Sequence, residues 1–206
     1  DDAAGLQIAS RMTSQLRGKK MAIKNANDGI SMAQTAEGAL QESSNILQRM
    51  RELGVQARND SNTSTDREAL DKEFQAMASE LTRIANSTNL NGTILLNGSA
   101  GGATGSVAIQ VGSGTTGDDT ITLELGATAM DAAGLGLVTG TALTDAATSG
   151  DAIDLIDTAL DTINALRADL GATQNRLTST ISNLQNINEN VSAALGRVQD
   201  TDFAAE

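Results

Sequence analysis

Residues 151–199 read DAIDLIDTALDTINALRADLGATQNRLTSTISNLQNINENVSAALGRVQ. Within them Ile156, Ile163, Leu170, Leu177, Leu184, Val191 and Val198 fall seven apart without a gap. A sustained seven-residue apolar repeat marks a helix that buries one stripe against another helix. Leu160, Leu166, Ile181, Ile187 and Leu195 add a second, drifting stripe, broken on one flank by Arg167, Gln174 and Asn188. A helix cannot bury such a seam alone, so it needs a partner of similar length.

The first 58 residues supply one. Leu16, Ile23 and Ile30 recur every seven residues, and Leu40 and Leu47 resume the repeat after a phase shift, flanked by Ala36, Met50 and Ala57. This predicts a helix over residues 3–58, with a break in the stripe between Gly29 and Gly38. At ~1.5 Å per residue it spans roughly 80 Å, so the expected shape is a rod. Asn59 to Ser64 is a turn by composition. Thr65 and Glu68 fit a capping box, and Asp66 suits the positive end of a helix. Leu70, Phe74, Met77, Leu81 and Ile84 then step by four and three, which predicts a second helix ending near Asn86 and folding back on the first.

Gly, Ser and Thr dominate residues 87–150. Val107, Ile109 and Val111 alternate, as do Ile121, Leu123 and Leu125, the period of half-buried strands. Loops are expected around Gly98 to Gly105 and Gly134 to Gly150. Gly112, Gly114 and Gly117 match a dinucleotide-loop spacing, but Asp118, Asp119 and a strand follow where such a site needs a helix N-terminus. The glycines therefore read as a hairpin turn. The expected fold is mainly α: an elongated rod of coiled-coil-like helices, two N-terminal and one C-terminal, with a small antiparallel β-hairpin region between. Its parts are residues 1–97, 98–150 and 151–206.

Composition narrows the function. The 206 residues contain no His, Cys or Pro, and only two aromatics, Phe74 and Phe203. Without His or Cys the commonest general base, thiolate nucleophile and soft metal ligands are missing, so no catalytic, cofactor or metal site is expected. Lack of Pro suits long helices. The net charge is -12, which argues against nucleic acid as a partner. It is also uneven: residues 1–58 hold 8 basic and 6 acidic groups, residues 59–206 hold 6 and 20. The plain reading of that asymmetry is two solvated faces of different sign; the sharper reading is charge complementarity between neighbouring copies, worth more in steering and register than in affinity. No apolar run approaches a membrane span, so no membrane insertion is expected. Sequons at Asn59, Asn62, Asn86, Asn91, Asn97 and Asn190 are chance products of an Asn/Ser/Thr-rich chain.

Several segments, taken in order, carry a family text: DDAAG (1–5), NANDGIS (25–31), TAEGAL (35–40), LQRMREL (47–53), LNG (90–92), QNRLTSTISNLQN (174–186) and ENVSAALGRVQDTDFA (189–204). Together they resemble bacterial flagellin, over residues 1–97 and 151–206. The resemblance implies the family's inner rod domain, without the outermost terminal helices and large outer domains. A fragment of that kind is expected not to polymerise alone.

The implied function is a self-assembling, extracellular filament subunit of the flagellum, exported unfolded through the flagellar secretion channel. The implied partners are other flagellin subunits, a flagellar export chaperone and the filament cap. The alternatives are a hook–filament junction protein and a flagellin-like cell-surface binding protein. The resemblance also implies recognition by host Toll-like receptor 5, at positions that fall on Gln48, Arg49, Leu53 and Glu73.

Overall fold

The computed structural model describes residues 2–137 and 141–205; residues 138–140, inside the expected Gly134–Gly150 loop, lie outside that set. Two long helices dominate, α1 (Asp2–Arg58) and α4 (Ala146–Ala205). Between them come α2 (Ser64–Ser87), a short pair β1 (Asn89–Leu90) and β2 (Thr93–Ile94), the turn-like α3 (Ala100–Ala103), and a hairpin of β3 (Ser106–Gln110) and β4 (Thr120–Glu124). The chain divides into two compact units, one of residues 1–31, 108–123 and 172–206, the other of residues 32–107 and 124–171.

The buried face of α1 differs from the face expected. Leu16, Ile23 and Ile30 are only half-buried. The main buried row is Ala22, Ala26, Gly29, Ala33, Ala36, Leu40, Ser43, Leu47, Met50, Gly54 and Ala57, at alternating steps of four and three, with Ser44 and Leu53 buried beside it. That is one heptad register, with no phase shift and no break between Gly29 and Gly38. Most of its members are Ala, Gly or Ser. Small residues bring the partner close: a Cβ on Gly29 would lie 3.1 Å from both Ile109 Cγ1 and Leu177 Cδ1, and one on Gly54 would lie 3.0 Å from Ile153 Cγ1. Bulk on the partners fills the space that α1 leaves, which keeps interior density high.

In α4 the bulky stripe is the buried one. Ile156, Ile163, Leu170 and Leu177 are fully buried and Leu184 nearly so. Val191 and Val198 are half-buried. The helix starts at Ala146, five residues before the expected position. Asp145 sets this start: its carboxylate accepts from the Thr148 amide at 2.8 Å, while the Asp145 amide donates to Thr148 Oγ1 at 3.1 Å. These reciprocal bonds satisfy amides that a helix start leaves unpaired.

α2 is capped two residues upstream of the expected Thr65–Glu68 box. Thr63 is the N-cap: the Asp66 amide donates to its hydroxyl at 3.2 Å, and its own amide donates to the Asp66 carboxylate at 2.9 Å. Phe74 and Leu81 are buried as expected, but the buried row continues through Ala78 and Ala85, leaving Leu70, Met77 and Ile84 half-buried on its flank. Arg67 turns back to bond the Ala57 carbonyl at 2.8 Å and the Asn59 carbonyl at 3.2 Å, closing the carbonyl end of α1. Loop backbone is tied to α2 as well. Leu143 donates to Asp71 at 2.9 Å, Ala132 donates to Thr82 Oγ1 at 3.2 Å, and Gln75 donates to the Thr141 carbonyl at 2.8 Å.

The β3–β4 hairpin follows its alternation: Ile109, Val111, Ile121, Leu123 and Leu125 are buried. The β1–β2 hairpin was not expected. Asn91 and Gly92 make its two-residue turn, both with positive φ (52° and 84°), the conformation Asn-Gly favours between paired strands.

Candidate functional site

The Gly-rich stretch 112–119 resolves first. It is a hairpin loop ending in a 3-10 turn, Gly117–Asp119, and the carboxylate it surrounds is its own. Asp119 accepts from the Thr116 amide at 3.0 Å and from Thr116 Oγ1 at 2.8 Å. These bonds, with one from the Gly114 amide, hold the Asp119 carboxyl below the usual aspartate range. A Cβ on Gly112 would collide with this carboxylate, so the glycine serves close approach. The Thr116, Gly114 and Gly112 donors that could meet a phosphate are already bonded to Asp119. Among the described residues no group of three or more His, Cys, Asp or Glu is arranged to hold a metal, and no helix is long and apolar enough to cross a membrane.

The surface that deserves a functional reading is where α1 faces α2. Arg49 is exposed and reaches both helices. Its Nε and Nη2 donate to Glu73 Oε1 at 3.1 and 2.9 Å, and its Nη1 donates to Glu52 Oε2 at 3.1 Å. Glu73 and then Glu52 raise the affinity of the guanidinium for its proton, so it is charged at any working pH. Two residues on, Arg51 reaches α4, donating to Asp157 at 2.7 and 3.4 Å. That bond holds the Asp157 carboxyl below its ordinary range. Pairs this exposed add little stability, but they fix where the charges stand.

Of the four expected contact residues, three share this surface. Gln48 and Arg49 are exposed, and Glu73 is partly so through its bond to Arg49. Leu53 is not available: it is fully buried. One turn along from Arg49, it lies within the apolar row with Met50 and beside Gly54, so its side chain is core. The apolar group on the outside is Val55, which is 52% exposed. It lines a shallow groove with Gln48, Arg51, Glu52 and Gln56. Sequence reasoning missed the Arg51–Asp157 pair. Its partners are 106 residues apart, and no local pattern announces it.

Two long helices carrying a heptad seam, with a small hairpin region between them, define a mainly helical, coiled-coil-like protein. A profile described as the bacterial flagellin N-terminal helical region matches residues 1–101, and one described as the C-terminal helical region matches residues 153–206. The chain is 43% identical to a flagellin of Halalkalibacterium halodurans over 206 residues, covering all of this chain and 73% of that one. It is 36% identical to flagellin B of Vibrio cholerae over 301 residues, covering all of this chain and 80% of that one. The crystal structure of Bacillus cereus flagellin superposes with a TM-score of 0.66 at 36% identity, covering 78% of this chain and 88% of that one. A putative flagellar hook-associated protein from Vibrio parahaemolyticus shares the fold, with a TM-score of 0.76 at 15% identity, covering 96% of this chain and 98% of that one. The chain belongs to the bacterial flagellin family. Flagellins are structural proteins of the flagellar filament, which lies outside the cell.

Proposed function

We propose that this chain is a packing segment of the flagellar filament, in which copies of it stand against one another, and so serves motility. It reaches the outside through the flagellar secretion channel, with an export chaperone and the filament cap as partners on the way. The observation that carries the reading is the family match at both ends of the chain, with whole-chain identity of 43% to a flagellin. The alternatives, a hook–filament junction protein or a flagellin-like surface binding protein, have less support. The hook-associated relative is similar in fold at only 15% identity.

The test is a chimera. Residues 1–206 replace the matched segment of the Halalkalibacterium halodurans flagellin in a strain lacking its own. Electron microscopy is expected to show filaments, and the cells to swim. A chimera that is secreted and folded yet forms no filament overturns the reading.

A second function rests on the Arg49 surface. Host Toll-like receptor 5 binds there through Gln48, Arg49 and Glu73, with Leu53 supporting the helix from inside. The supporting observation is that Arg49 is held between Glu73 and Glu52, so its geometry is set before any partner arrives. Arg is a frequent anchor of protein interfaces. In a titration with the receptor ectodomain, Arg49→Ala is expected to weaken binding about tenfold or more while the helices stay folded. Equal binding by the variant, or none by the wild type, removes the site.

A further inference from the structure

Between residues 3 and 27, α1 carries five cations, Arg11, Arg17, Lys19, Lys20 and Lys24, and no carboxylate. Arg17, Lys20 and Lys24 are exposed and stand three and four residues apart, on one face of the helix. That face lies opposite the buried row of Ala22, Ala26 and Gly29. Lys24 shares an exposed pair with Asp28 at 3.0 Å. Arg17 and Lys20 form no ion pair among the described residues.

α4 carries the reverse. Asp151, Asp154 and Asp161 are exposed. Asp154 and Asp161 each precede a buried isoleucine, Ile156 or Ile163, by two residues, which turns them to the outer side of the helix. Asp157, on the flank, is taken by Arg51 at 2.7 Å, but Asp151, Asp154 and Asp161 form no ion pair among the described residues. Arg17 to Lys24 and Asp154 to Asp161 are both separations of seven residues, two helical turns or about 10.5 Å. The two rows therefore match in spacing and are opposite in sign.

We propose that the basic row Arg17–Lys20–Lys24 of one copy docks on the acidic row Asp154–Asp161 of a second copy. The proposal rests on the filament-subunit reading and names one of its contacts. Every copy offers both rows, so the contact is heterologous: it leaves a free row of each sign at its ends and can propagate. Exposed charges contribute little affinity each, but matched rows steer encounter and penalise wrong registers. In this role the contact selects how copies slide along one another, while apolar surface elsewhere supplies strength.

The experiment uses a 1:1 mixture of nitrogen-15-labelled and unlabelled chain, treated with a carbodiimide. The reagent activates a carboxylate, and a neighbouring lysine amine then attacks it, forming an amide and releasing the urea. Mass spectrometry is expected to find mixed-isotope links from Lys20 or Lys24 to Asp154 or Asp161. Two charge-reversed chains, R17E/K20E/K24E and D154K/D161K, change outward positions only, and circular dichroism checks that they fold. Each alone is expected to self-associate at least about tenfold more weakly than the wild type at low salt, and their mixture to recover the loss. The proposal is overturned if the wild type stays monomeric at millimolar concentration and low salt. It is equally overturned if the reversed chains associate as well as the wild type. Filament growth by the chimera above is unaffected by either result, so a failed docking register and a failed filament reading are told apart.

Discussion

α1 and α4 both run a heptad, and they build it from opposite materials. The buried row of α4 is Ile156, Ile163, Leu170, Leu177 and Leu184; that of α1 between residues 22 and 36 is Ala22, Ala26, Gly29, Ala33 and Ala36. One helix supplies bulk and the other supplies room. Gly29 shows the fit, since its missing side chain is the space into which Leu177 and Ile109 reach. Further along α1 the row grows larger, through Leu40, Leu47, Met50 and Leu53, all fully buried. A seam of this kind does not need aromatic residues. It needs the correct alternation of large and small, and it fails when either side changes size.

The largest expected effect is loss of bulk. Leu177→Ala removes a fully buried side chain from the bulky row and is expected to cost about 2–5 kcal/mol in denaturant unfolding. An unchanged unfolding midpoint would show that the row does not face the seam. Next comes bulk on the small side. Gly29→Leu drives a side chain into Ile109 and Leu177 and is expected to cost about 1–3 kcal/mol, against the usual rule that Gly in a helix is improved by substitution. Gly38, in the same helix with nothing within 4 Å, gives the opposite sign: Gly38→Ala is expected to gain about 0.5–1 kcal/mol. The same calorimetric scan on both variants checks whether the two glycines differ as the seam requires.

Caps come next. Thr63→Ala removes the hydroxyl that holds the Asp66 amide and is expected to cost about 1 kcal/mol, whereas Thr65→Ala costs far less. The reverse order would restore the downstream box. Acid provides a further check. Asp66, Asp119, Asp145 and Asp157 have carboxyls held below their ordinary range, mainly by hydrogen bonds from Thr63, Thr116, Thr148 and Arg51 respectively. The unfolded chain therefore binds protons more readily than the folded one. Their contribution is present above the ordinary carboxylate range near pH 4 and is lost as pH falls through the depressed folded values. Thermal melts across the acid range are expected to show stability falling with pH, and a smaller fall in Asp157→Asn. The smallest effect is at Arg176, exposed on the flank beside Leu177, where Ala is expected to leave the melting temperature unchanged.

How much of this was legible in the sequence depended on the size of the side chains. The α4 row was read from its Ile and Leu spacing, and the strands from the alternation about Ile109 and Leu123. The α1 row was misread because Leu16, Ile23 and Ile30 attract the eye, while Ala and Gly carry little hydrophobic signal. The expected break at Gly29 was the seam itself. The α2 cap slipped by two because Thr65–Glu68 and Thr63–Asp66 both fit a box, and only the backbone bonds separate them. The turn at Asn91-Gly92 was not read, because strands of two residues show no alternation to point to it. On the surface, Arg49 could be located from the LQRMREL segment, yet burial of Leu53 follows from the register of α1 and could not precede it. The same register decides which residues face outward, and so underlies both the Arg49 surface and the basic row at Arg17.

The register of α1 is therefore the claim to test, and the absence of native cysteine makes the test clean. Single cysteines are placed at Ala22, Ala26, Ala33 and Ala36, and at Ile23 and Ile30, and labelling rates of the folded chain by a thiol reagent are compared with those of the unfolded chain. Cysteines at the four alanine positions are predicted to be strongly protected, and those at Ile23 and Ile30 to label appreciably faster. Protection at Ile23 and Ile30 with rapid labelling at Ala26 and Ala33 would contradict the register, and with it the outward faces on which both interaction surfaces stand.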